Sequence, residues 1–197
     1  MTPLSIDAVA GGEELEDVLV QGGDLSGRKL RSLMARSAVF QGVSFAETEI
    51  ASARLRDVRF VNCDLSNANW WGVEATRVEF IDCRLMGMAA VECHWQDVLL
   101  ERCEARYIRL SDGRTSTCEF RNSNLSEADL RSAHLEGALF DKVLLKKADL
   151  SHARLQGTDL CGAEIDGITV FAEDVRGALV NPAQAMDLAR LLGVVIK

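Results

Sequence analysis

Residues 123–155 read SNLSEADLRSAHLEGALFDKVLLKKADLSHARL. A large apolar residue returns here at Leu125, Leu130, Leu135, Phe140, Leu145, Leu150 and Leu155, and a small residue stands two places before each. The period is five. A helix would repeat its apolar residues every 3.6 positions and a strand every 2.0, so neither explains the stretch. Working outward, the register holds from Val20 to Val180. Of the 33 positions whose number ends in 0 or 5, 32 are apolar, Thr115 being the exception. Two places before them, 27 of 33 residues are Ala, Cys, Val, Ser, Thr or Gly. Two inward positions per block, one large and one small, suit a chain that turns a corner after every block. Such a chain coils, and its coils stack around a continuous core.

The blocks Ala128-Asp129-Leu130 and Ala148-Asp149-Leu150 resemble the A-[DN]-[LF]-x-x unit of the pentapeptide repeat proteins. The resemblance covers residues 18–182. It implies an all-β solenoid, a right-handed quadrilateral β-helix of about eight four-block coils with a short C-terminal α-helix. Packing gives a separate test. If a coil takes twenty residues, Phe40, Phe60, Phe80, Phe120 and Phe140 fall in one column with Leu100 between them. Trp95 then sits between Ala75 and Thr115, and Trp70 between Ile50 and Ala90, each large ring beside a smaller neighbour. A large uncompensated loop between 40 and 140 would break the column, so none is expected. The stretch Ser111–Thr115 is the expected place for a local distortion, because of Gly113.

The chain divides into an N-terminal cap (1–17), the repeat (18–180) and a C-terminal helix and tail (181–197). Asn181-Pro182 reads as an N-cap followed by proline at the first helical position. Met186, Leu188, Leu191, Leu192 and Val195 make the tail apolar enough to cap the last coil and to pair two subunits. The tail NPAQAMDLARLLGVVIK is also similar to the C-terminal helix of the topoisomerase-protecting branch of the family, which includes the Qnr-type, mycobacterial fluoroquinolone-resistance and albicidin-resistance proteins. That resemblance implies a homodimer that binds DNA gyrase or topoisomerase IV, protects it from a poison and mimics the form of DNA. The unbroken register argues against projecting loops. The alternative is a protein-interaction scaffold with an unrelated partner.

No enzyme is expected. Cys63, Cys83, Cys93, Cys103 and Cys118 occupy small inward positions, and there is no C-x-x-C, so neither a metal nor a cofactor is implied. Cys161 is the one outward thiol. His94 and His134 share an outward column with Arg114 between them, too far apart for joint ligation. The formal charge of −8 disfavours direct nucleic-acid binding. No apolar run is long enough to span a membrane, and the start lacks a leader pattern, so a cytoplasmic location is expected.

Partner contacts are expected from two outward sets. Asp24, Asp64, Glu79, Glu104 and Glu119 are acidic residues just before central positions, where they also suit turn hydrogen bonding. Val61, Trp71, Ile81, Met86 and Val91 are apolar outward residues on neighbouring coils, either a contact patch or packing along corners. Residues 1–100 carry 15 acids against 9 bases, so a negative face is expected toward the N-terminal half.

Overall fold

The computed structural model describes residues 1–12 and 14–195; the last two residues of the tail lie outside it. The backbone advances one coil every twenty residues. Parallel pairing joins Phe40 to Phe60, Phe60 to Phe80, Phe80 to Leu100, Leu100 to Phe120 and Phe120 to Phe140. Every central position from Val20 to Val170 is buried. The large rings stack as the column requires: Phe40–Phe60 centroids are 5.0 Å apart, Phe60–Phe80 4.9 Å and Phe120–Phe140 4.6 Å, with interplanar angles of 10° or less. With coils about 4.8 Å apart, eight of them make a rod of about 40 Å. No described helix is long and apolar enough to cross a membrane.

The tube has four walls, one per block. Wall I carries the phenylalanine column, wall II Leu65 and Leu85, wall III Ile50 and Trp70, and wall IV Trp95 and Thr115. Strands Leu33–Gln41, Ala53–Val61, Glu74–Ile81 and His94–Glu101 run from wall IV round a corner into wall I. Wall III holds two-residue strands Lys29–Leu30, Glu49–Ile50 and Asn69–Trp70, whereas wall II is a ladder of single bridges such as Asp64 to Arg84. The corners fall where residue numbers end in 2 or 7. Most of these residues have positive φ, including Asn62, Asp57 and Gly42 but also Thr117 (54°) and Arg77 (53°). Asn, Asp and Gly enter this region at least cost, which explains their frequency at block ends.

The expected distortion at Ser111–Thr115 is absent: Arg114 pairs with His94 below and His134 above in register. Gly113 fits because it occupies a small inward slot, where an added Cβ would lie 2.8 Å from Cys93 Sγ and from the Leu110 carbonyl. The irregularity sits instead between Asp141–Val143 and Gly162–Ala163, where Asp141 pairs one residue out of step with Gly162.

Both open edges are covered. At the start, strand Thr2–Leu4 pairs with Val18–Val20, and helix α1 (Ile6–Ala10) buries Val9 in the core. Ile6 presses so closely on Gly23 that a Cβ there would lie 2.6 Å from the Ile6 Cβ. At the far end stands helix α2 (Pro182–Leu191), whose Asn181 cap accepts a hydrogen bond from the Gln184 amide at 3.0 Å. The Gln184 Oε1 accepts from the Asn181 amide, and its Nε2 donates to the carbonyls of Leu160 and Ala163, both at 2.7 Å. Asn181 Nδ2 donates to the Cys161 carbonyl. A helix cap thus also satisfies backbone acceptors on the last coil. Buried Asp174 does the same for donors, accepting from the amides of His152 and Phe171.

Candidate interaction surfaces

The acidic columns are committed within the protein. Asp24 accepts a hydrogen bond from the Ser26 amide at 2.8 Å, and Asp64 from the Ser66 amide at 2.9 Å, each closing an Asx turn. Glu79 pairs with Arg59 one coil below at 2.7 Å. Glu119 pairs with Arg121, and Glu104 accepts from Asn124 one coil above. Pairs twenty residues apart recur along the rod: Lys29–Glu49, Arg54–Glu74, Asp57–Arg77 and Asp82–Arg102. Exposed pairs contribute little singly, about 0–1 kcal/mol, but each reinforces the twenty-residue register.

This pairing corrects the expectation of a negative face. Wall I carries six acids and four bases, wall II seven and four, wall III five and five. Wall IV, from 33 to 177, carries six acids and seven bases. The N-terminal excess resides in residues 1–17, which hold five acids and no base. The negative charge therefore gathers at one end of the rod, with only a modest excess on walls I and II.

The apolar outward residues do not form one patch either. Val61 and Ile81 stand on wall I, half-buried beside their coil neighbours. Trp71 and Val91 stand on wall III, the opposite side of the tube, and Met86 lies on wall II between them. Half a coil separates positions ten residues apart, so the tube itself keeps the two pairs from meeting. Trp71 is the most exposed of the five, at 54%.

The C-terminal end is different. Met186, Leu191, Leu192, Val194 and Val195 are all exposed on α2 and the segment after it. Leu179 and Phe171, which the sequence reading passed over, are exposed on the last coil. Leu188 is corrected: it is buried, and beside Ile165 and Ile168 it anchors α2 to its own coil, so it is not available to a second subunit. The alternation that gives Leu188 inward and Met186 outward follows from the orientation Gln184 imposes on the helix.

Five cysteines are buried, and Cys161 is exposed. Burial holds the Cys93 thiol up at about 12 and raises Cys118. Cys161 is raised by the neighbouring Asp159 carboxylate, which disfavours its thiolate. Among the described residues no three His, Cys, Asp or Glu side chains are grouped to hold a metal ion. His94 and His134 flank Arg114 on wall IV, and His152 stacks on Phe171 at 5.0 Å.

Comparison with known proteins agrees with this architecture. A model described as a pentapeptide repeat region matches residues 53–130, and one described as pentapeptide repeats (8 copies) matches 123–162. No curated protein matches the chain. Among solved structures, a trypsin-treated variant of QnrB1, a plasmid-mediated fluoroquinolone resistance protein, is 23% identical. The alignment covers 94% of this chain and 91% of that one, with a TM-score of 0.34. Rfr23, a pentapeptide repeat protein from the cyanobacterium Cyanothece 51142, is 19% identical over 60% of this chain and 91% of its own, at 0.36. HetL, a pentapeptide repeat protein involved in heterocyst differentiation regulation from Nostoc sp. strain PCC 7120, is 17% identical over 88% and 92%, at 0.30. Superpositions this loose carry no argument about function. The two repeat models, which together span residues 53–162, and the twenty-residue coil in the fold place this chain in the pentapeptide repeat proteins.

Proposed function

We propose that the protein is a dimeric rod that binds DNA gyrase or topoisomerase IV and protects it from a quinolone- or albicidin-type poison. The observation that carries this reading is the apolar C-terminal end, where Met186, Leu191, Leu192 and Val195 stand exposed after α2 has already covered its own coil. A two-fold pairing there gives a rod of about 80 Å. The similarity of the tail to the topoisomerase-protecting branch supports the choice of partner. Duplex DNA carries one charge per about 1.7 Å of axis, far denser than any wall here. Recognition therefore rests on the shape of the rod and on side chains such as Trp71 and Met86, with Asp24, Asp64, Glu79, Glu104 and Glu119 adding local charge.

The test is gyrase supercoiling with a quinolone and with an albicidin-type poison as protein is added. Rescue of supercoiling is expected; neither rescue nor inhibition at micromolar protein would remove the reading. Leu191→Glu with Leu192→Glu should give monomers on sizing, and a persisting dimer would place the interface elsewhere. The near-balanced walls favour a second reading, a scaffold for an unrelated protein. Capture of another partner from lysate without topoisomerase subunits would select it.

A further inference from the structure

We infer that wall III carries a slot for a nucleoside phosphate, with the nucleobase between Trp71 and Arg31 and the phosphate on the basic side chains beside it. Position 31, position 51 and position 71 are successive members of one outward column, fixed by the pairing of Leu30 with Ile50 and Ile50 with Trp70. The middle member is Ala51. Its small side chain leaves a gap between the guanidinium below and the indole above, two coil spacings or about 9.6 Å at the backbone. The gap is a cavity of about 380 Å³, floored by Leu30, Ile50 and Ala51 and bordered by Lys29, Arg31, Glu49, Asn69 and Trp71. That is within the range of small-ligand sites, about 300–1,000 Å³.

Two features choose the ligand. The first is flatness. Trp71 is half-exposed, and Arg31 makes no ion pair or side-chain hydrogen bond among the described residues, so both planar groups are free to sandwich a ring. The second is charge. Arg28, Lys29 and Arg31 lie at this end of wall III; Lys29 pairs with Glu49 at 2.8 Å and Arg28 faces Asp24, which leaves Arg31 as the uncommitted cation among the described residues. On an acidic protein this is a local positive site, and guanidinium and ammonium groups are the usual partners of phosphate. The Asn69 amide lies beside the slot with donor and acceptor for a base edge. The slot shares Trp71 with the proposed partner surface, but AMP binding to the isolated protein tests it without the topoisomerase.

Calorimetric titration of the full-length protein with AMP and with adenosine tests it. Saturable AMP binding is expected, with adenosine at least about tenfold weaker because it lacks the phosphate. Trp71→Ala and Arg31→Ala should each weaken AMP at least about tenfold without changing the melting temperature, while Met34→Ala, exposed on wall IV, leaves AMP affinity unchanged. No saturable AMP binding, equal affinity for adenosine, or unaltered binding in both wall III variants would overturn the proposal.

Discussion

At the scale of single residues, the tube sets two problems that the sequence solves unevenly. The first is the corner. Thr117 is β-branched and exposed at φ 54°, in a region such residues enter only with strain. Thr117→Gly should raise stability by about 1 kcal/mol, read as an increased denaturation midpoint. The second is the buried indole. Trp70 donates from Nε1 to Thr48 Oγ1 at 3.0 Å, whereas Trp95 Nε1 has no partner among the described residues. Thr48 lies 22 residues before Trp70, and the residue 22 before Trp95 is Val73, which has no acceptor. Val73→Thr should therefore stabilise by about 1 kcal/mol, and urea denaturation would show it. Loss of stability instead would mean that the Trp95 ring is turned away from position 73. The size rule was legible at Thr115, which leaves room for an indole. The missing partner of Trp95 was not, because a hydrogen bond between coils depends on ring orientation as well as register.

At the scale of elements, the ends show what period counting reads and what it misses. Asn181-Pro182 announced α2, and the helix begins there with a capping box. Gln184 completes that box three residues after the cap, a spacing visible in the sequence. Its second role, bonding two carbonyls of the last coil, depends on where the helix lands. Gln184→Ala should cost about 1–3 kcal/mol by leaving buried acceptors unsatisfied. Hydrogen exchange should show the loss concentrated in the last two coils, since each coil contacts only its neighbours. Uniform destabilisation along the rod would argue that α2 does not act as a local edge cover. Leu188 was misassigned for the same reason: helical spacing gives an apolar stripe but not which part of it faces the chain's own coil.

At the scale of the whole molecule, the repeat made the fold legible almost entirely, because a twenty-residue column of phenylalanines leaves one way to close the walls. The surface was much less legible. Outward residues obey no packing rule: the register puts Val61 and Trp71 on separate columns of neighbouring coils, and the tube holds those columns on opposite sides, so they make no common patch. The ionic ladders that neutralise the walls have a consequence for pH. Hydrogen bonds from Ser26, Arg77, Arg102, Arg106 and Arg131 hold Asp24, Asp57, Asp82, Glu127 and Asp129, respectively, below the usual carboxylate range. A depressed carboxyl stabilises the fold above its unfolded pKa, and this is lost as pH falls through the lower folded value. The contribution from these carboxylates should be nearly constant from pH 7 to about 5 and decline below about 4. Thermal melts in a pH series check this, and a steady fall between pH 7 and 5 would point to other groups. The most direct measurement of the coil itself uses the exposed Cys161 and a second label at Gln41→Cys, six coils away, where the outward column from Gln41 ends at Gly162, the residue next to Cys161. Electron spin distance measurement, with labelled protein diluted into unlabelled protein, should give a single peak corresponding to a backbone separation of about 29 Å. A peak beyond about 40 Å would contradict a tube that climbs one 4.8 Å step every twenty residues.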